Sequence, residues 1–167
     1  ASELEKLRLY LADRDDALIT EEDVAAIVTP SPTHTIFNLT DAVVEGRTAA
    51  ALAAYRDCLY LGSKSPQVLR QLEDTVRRLL EVQAMLAEGM SQSAIRAEIK
   101  RHEFYVKKLT AQARRLSSDA LAHLYCYLVD CDVKSKRTAR LDMDAFVEEV
   151  IINCCATIAV RGRRAPR

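Results

Sequence analysis

Tryptophan is absent from these 167 residues, and glycine and proline number only four each. So little Gly and Pro excludes a collagen-like or loop-dominated chain, because both need frequent turn formers. Nor is there a net charge: 24 Lys plus Arg balance 24 Asp plus Glu. That balance argues against a protein basic throughout that coats nucleic acid or a membrane. Long apolar runs are missing too. The most apolar stretch, Val150 to Val160, is about half the roughly 20 residues needed to span a bilayer, and no signal peptide heads the sequence. Phosphate-cradling loops and nucleophile elbows are also lacking, since no G-x-x-x-x-G-K-[ST], G-x-G-x-x-G or G-x-S-x-G occurs. What is present is 49% hydrophobic and 29% charged residues, enough to exclude a disordered chain.

The five cysteines, Cys58, Cys126, Cys131, Cys154 and Cys155, are odd in number and do not pair as C-x-x-C. Each lies in an apolar stretch, where a free thiol behaves as a small hydrophobe. Cys126 and Cys131 with His123 form a thin basis for a metal site, so no metal or cofactor is expected. A reducing, cytoplasmic setting fits such usage. His34, His102 and His123 stand far apart, with no H-x-x-x-H partner, and packing or surface roles suit them better than catalysis. The acidic pairs Asp142/Asp144 and Glu148/Glu149 sit at a helix start, where the dipole explains them. The chain is therefore expected to be non-catalytic.

Periodicity is helical almost throughout, and strand-like alternation is nearly absent. Ser2–Leu11 reads as a helix, 13–18 as a polar turn, and Thr20 caps a short helix through Val28. Thr29-Pro30-Ser31-Pro32 breaks the pattern. Helices are then expected over Ile36–Glu45 and Arg47–Leu61, stopped by Gly46 and Gly62. Ser65 as N-cap and Pro66 at the first helical position begin a long helix ending before Gly89, with a stripe of Val68, Leu72, Val76, Leu79 and Leu86. Ser91–Ile99, Phe104–Leu116, a helix capped by Ser117 or Ser118, and one from Asp142 to about Ala159 complete the series. Lys134–Arg140 reads as a basic, loop-like connector.

The break also divides the charge. Residues 1–33 hold eight acids and three bases, a net of −5, leaving +5 for the rest. Two helices and a turn bury too little surface for an independent core. Residues 1–29 are thus expected to be the end of an incomplete upstream domain, 33–160 a complete helical bundle, and 161–167 a basic tail. The fold class is all-α.

Three features invite partners. Lys107, Lys108, Arg114 and Arg115 occupy a sector of about 120° on one helix, opposite Tyr105, Leu109, Ala113 and Leu116. Lys134, Lys136, Arg137 and Arg140 gather in the connector without interleaved aromatics, so stacking on bases is unsupported and backbone electrostatics would remain. The last helix is apolar nearly all round, with Val150, Ile151 and Ile158 as candidates for packing on a neighbour. A solvated face and burial within the bundle are the plainer readings of the first and third.

The order of segments resembles the C-terminal part of the delta subunit of bacterial DNA polymerase III, a component of the sliding-clamp loader. The matching pieces are Glu3-Leu4-Glu5-Lys6-Leu7, Ile19-Thr20-Glu21-Glu22-Asp23-Val24, and Ile36-Phe37-Asn38-Leu39-Thr40-Asp41-Ala42 ahead of Glu45-Gly46. They continue through the long helix around Val76–Leu80 to Phe104-Tyr105-Val106-Lys107-Lys108-Leu109, Gln112-Ala113-Arg114-Arg115-Leu116 and Asp132-Val133-Lys134. The resemblance implies a lid remnant over 1–29 and a collar domain over 33–160 that assembles with tau or gamma and delta-prime subunits. It implies that the sliding clamp is met only by an N-terminal domain absent from this sequence, and that the parent complex, not this chain, is a DNA polymerase. Two departures stand out: Glu103 follows His102 where many relatives carry a nearby Pro, and the turn after Lys134 reads Ser-Lys-Arg-Thr where relatives often have Gly or an aromatic. A primer–template contact would then be electrostatic and weak. The competing readings are a stand-alone helical DNA-binding module using the same cations and, more remotely, a helical enzyme fragment without its active residues.

Overall fold

A computed structural model of the chain describes residues 3–12, 18–20, 23–24 and 32–162. The chain divides into two units, Ala1–Ser31 and Pro32–Arg167. In the first, α1 spans Glu3–Tyr10. Further on, the Thr20 hydroxyl accepts from the Asp23 N–H at 3.2 Å, while Asp23 Oδ2 accepts from the Thr20 N–H at 3.0 Å. This reciprocal capping box satisfies two amide donors that a helix start leaves unpaired. The rest of the expected helix through Val28, and most of the polar turn before it, lie outside the described residues.

Among its described residues the second unit is a bundle of seven helices: α2 (Pro32–Val44), α3 (Thr48–Tyr60), α4 (Ser65–Ala87), α5 (Gln92–Ile99), α6 (Glu103–Arg115), α7 (Ser118–Arg137) and α8 (Met143–Arg161). No strand occurs among the described residues. α2 starts four residues earlier than the apolar pattern suggests. Pro32 is its first residue, where a missing N–H costs nothing and the fixed φ is already helical. At Gly46 (φ +72°), Arg47 N–H donates to Ala42 O and Gly46 N–H to Val43 O, closing α2 with a left-handed turn. The same pair of hydrogen bonds closes α3 and α4. Gly46 also lies against α8, where a Cβ would come within 3.5 Å of Cys155 O and Ala159 N.

α4 is the axis. It packs against α2, α3, α6, α7 and α8, while α5 leans on α6. Its buried face, Val68, Leu69, Leu72, Val76, Leu79 and Val82, repeats at helical spacing. Leu86 is only half-buried. The Ser65 hydroxyl does not cap α4. Lys64 is the N-cap, and Gln67 Oε1 accepts from the Lys64 N–H at 3.1 Å. Ser65 instead joins a buried network: the Tyr55 hydroxyl donates to Ser65 Oγ at 2.9 Å and Ser65 donates onto the Asp144 carboxylate. A fully buried Tyr needs such a partner for its hydroxyl, and the network ties α3, α4 and the start of α8 together. It contains no histidine and is not a nucleophile–base pair.

α7 and α8 begin at side-chain caps. Ser117 Oγ accepts from Ala120 N–H at 3.1 Å, and Asp142 Oδ1 accepts from the N–H groups of Asp144 (3.1 Å) and Ala145 (3.2 Å). Four of the five thiols are buried. Burial pushes Cys58 up to about 11 and Tyr127 up to about 12, from ordinary values of 9.0 and 10.0.

Three outcomes follow for stability. Ile151→Ala removes a fully buried side chain and should cost about 3 kcal/mol in urea unfolding, as core truncations do. Asp142→Ala should cost about 1 kcal/mol, the usual value of a lost N-cap. Both Cys58 and Tyr127 hold their protons more tightly folded than unfolded. Their contribution is complete below pH 9 and is lost as pH rises toward 12. Tyr127→Phe should shallow the upper part of that decline.

Candidate subunit-contact surface

The basic helix α6 is held at both ends. At its start, His102 Nδ1 accepts from Phe104 N–H at 3.3 Å, after Lys100 has turned the chain through a left-handed conformation (φ 53°). At its end, Gln83 Nε2 on α4 donates to Ala113 O and Leu116 O, each at 2.8 Å. These carbonyls would otherwise lack partners at the helix terminus. Val106, Leu109, Thr110 and Ala113 face inward, Leu116 is buried, and Tyr105 is half-buried. Lys107, Lys108, Arg114 and Arg115 are exposed, with the two arginines beside the negative end of the helix dipole.

Lys108 is not free for a partner. It pairs with Asp41 of α2, whose other oxygen accepts from Gln112 Nε2 at 3.0 Å. One carboxylate thus ties two turns of α6 to α2. Lys107, Arg114 and Arg115 have no ion pair among the described residues.

The second basic group differs from the expected loop. Lys134, Lys136 and Arg137 form the last turn of α7, and only Thr138 to Leu141 separate α7 from the Asp142 cap. Nothing between 130 and 137 breaks a helix, Lys136 pairs with Asp132 one turn earlier, and cations suit a helix C-terminus. Lys134 Nζ stands 5.3 Å from the Phe146 ring centre, in a cation–π contact. Arg140 occupies the left-handed region (φ 62°). Arg114 and Arg115 lie just before α7, whereas Lys134, Lys136 and Arg137 lie at its far end, about 30 Å away at 1.5 Å per residue.

α8 resolves into two faces. Val150, Ile151 and Ile158 are buried inside this chain's own core, so their apolar surface is already spent and is not exposed to a neighbour. That revises their expected role as direct subunit contacts. The outward sector, about 120° wide, carries Ala145, Glu149, Ile152, Asn153, Ala156, Ala159 and Val160. Its sole charge is Glu149. Ile152 is 44% exposed and Val160 83%. Asn153 Nδ2 donates to the Tyr127 hydroxyl at 2.9 Å, linking α8 to α7 at this surface.

A cleft of about 740 Å³ between α2, α4 and α6 was not legible in the sequence. Phe37 and Tyr105 meet in it, their ring centres 5.8 Å apart and tilted by 56°, and Arg78 of α4 and Arg101 share its wall. From one element to the next these residues are more than 20 positions apart, and no short-range pattern links them.

Asp41→Ala should destabilise the domain more than Lys108→Ala, because it also frees Gln112. A double-mutant cycle on Asp41 and Lys108 in urea should return a coupling of roughly 0.5–1 kcal/mol, typical of a partly exposed pair.

Residues 33–154 match the family model described as DNA polymerase III delta subunit, C-terminal domain. The DNA polymerase III subunit delta of Bacillus subtilis (strain 168) is 27% identical over 146 residues, covering 87% of this chain and 41% of that protein. A solved Bacillus subtilis DNA clamp loader delta protein superposes with a TM-score of 0.76 at 25% identity, covering 92% of this chain and 44% of that one. The chain thus spans less than half the length of the relatives it matches. Segment order, all-helical architecture and a match across residues 33–154 agree: the chain belongs to the DNA polymerase III delta subunit family and carries its C-terminal domain.

Proposed function

We propose that residues 33–160 act as a non-catalytic collar, an assembly domain that joins a delta subunit to its neighbours in a clamp loader, and that residues 1–29 are the end of its lid domain. The observation that carries this reading is the outward face of α8. A helix face on a solvated bundle ordinarily alternates charges, whereas this one offers Ile152, Ala156, Ala159 and Val160 with Glu149 as its one charge. Small residues around two branched ones let another helix approach closely. Arg114 and Arg115, exposed at the end of α6, add positive charge for an acidic neighbour.

The partners implied are the tau or gamma and delta-prime subunits. Contact with the sliding clamp is assigned to the part of the longer relatives that this chain does not cover. Support for loading during replication is then mechanical: the collar holds subunits in register while chemistry occurs in other chains. Primer–template DNA enters this reading only as a weak electrostatic partner of Arg137 and Arg140, since no exposed aromatic accompanies them.

Ile152→Asp places a charge on the outward face without touching the core. It should leave the melting temperature within about 2 °C and weaken assembly with cognate tau or gamma and delta-prime by about tenfold or more, measured by analytical size exclusion across concentrations. Undiminished assembly by the folded variant refutes the α8 face as the contact. A salt titration of DNA binding by the same chain separates the competing module: tight binding that falls steeply with salt would favour it.

A further inference from the structure

The cleft between α2, α4 and α6 has no α8 residue in its lining and has a charge arrangement of its own. Two carboxylates stand in its wall, and both are occupied. Asp41 holds Lys108 and Gln112, and Asp74 pairs with Arg77 at 3.2 Å. Two guanidinium groups, Arg78 and Arg101, line the same cleft and have no ion pair among the described residues. Both lie close to the Tyr105 phenol: burial raises its pKa, and each guanidinium pulls it back. Among the residues that line the cleft, Lys108, Arg78 and Arg101 against Asp41 and Asp74 leave a charge of +1.

Beside these charges the wall is aromatic. Phe104 is 73% exposed and Phe37 39% exposed. Phe104 donates its own N–H to the His102 cap, so its backbone is fixed and its ring is presented, not frayed. The two features together, a pair of unsatisfied planar cations and an apolar ledge, are complementary to a carboxylate next to an apolar side chain.

We propose that this cleft docks an acidic peptide segment of a partner protein, one carboxylate seated between Arg78 and Arg101 and an adjacent aromatic or aliphatic side chain laid against Phe37 and Phe104. The surplus of +1 chooses this occupant. It neutralises one carboxylate, whereas a nucleic-acid strand brings a phosphate with every nucleotide past the Asp41 and Asp74 carboxylates and needs a continuous basic groove. Arg forks bind carboxylates bidentately, so the cleft supplies orientation as well as charge. This proposal does not depend on the collar reading.

The test uses the full chain and fluorescence anisotropy with a labelled peptide, Ser-Gly-Ser-Gly-Asp-Leu-Phe with a free carboxyl terminus. Its counterpart, with Asn for Asp and an amidated end, is the neutral control, and a short oligothymidylate is the nucleic-acid control. The acidic peptide should bind saturably and about tenfold or more tighter than the neutral one. Arg101→Gln, at an exposed position, should weaken it by about tenfold with an unchanged thermal melt, Arg78→Gln likewise, and Phe104→Ala should weaken both peptides. Arg78→Lys, which keeps charge but loses the fork, should fall between wild type and Arg78→Gln. Absence of saturable binding, equal binding of both peptides, or wild-type affinity in the folded Arg101→Gln variant overturns the proposal. So does oligothymidylate binding that depends on Arg78 and Arg101, which would make the cleft a nucleic-acid site.

Discussion

The fold depends on covering one helix. α4 presents an apolar face too long for a single partner, and five other helices close over it. Hydrophobic burial is non-directional, so the stripe alone would accept many arrangements. Directional contacts choose among them. The Tyr55–Ser65–Asp144 network fixes where α3 and α8 meet the start of α4, and Gln83 fixes where α6 ends against its last turns. Asp41 then sets the register of α6 on α2. Remove the stripe and these polar contacts have nothing to orient.

Charge in this chain divides by task. Acids and polar caps start helices, as Thr20 with Asp23, Ser117 and Asp142 do. Some cations are consumed within the chain: Lys108 by Asp41, Lys136 by Asp132, Arg77 by Asp74 and Glu81, and Lys134 by the Phe146 ring. What remains for partners is a smaller set at separate places: Arg78 and Arg101 in the cleft, Lys107, Arg114 and Arg115 on α6, and Arg137 and Arg140 around the end of α7. A zero net charge conceals this arrangement, and so does a count of surface lysines.

Much of the architecture could be read from local rules. The glycines at 46, 62 and 89 stop helices because left-handed backbone suits them, and Ser91, Ser117 and Asp142 begin helices because their oxygens reach free amides. The same rules misplace Ser65, since whether a serine caps its own helix or answers a distant tyrosine depends on packing that is 10 and 79 residues away in sequence. They also read Lys134–Arg137 as loop from its polarity, although the helix dipole and the Asp132 pair favour continuing α7. Val150, Ile151 and Ile158 could be recognised as apolar, but an all-round apolar helix does not say which side its own bundle will claim. The cleft at Arg78 and Arg101 was out of reach because three separate helices build it.

The first residue before α7 and the last turn of α8 are joined directly. Ser117 N–H donates to Gly162 O at 3.0 Å, and Ser117 Oγ donates to Arg161 O at 2.9 Å. A single serine therefore serves as a clasp: its oxygen starts one helix while its two donors finish the other. The segment from Ser117 to Gly162 becomes a closed loop held shut without a covalent bond, and fraying of α8 must open the entrance to α7 as well. The terminal turn of α8, ordinarily the softest part of a helix, is thereby made to share the rigidity of the corner that carries Arg114 and Arg115.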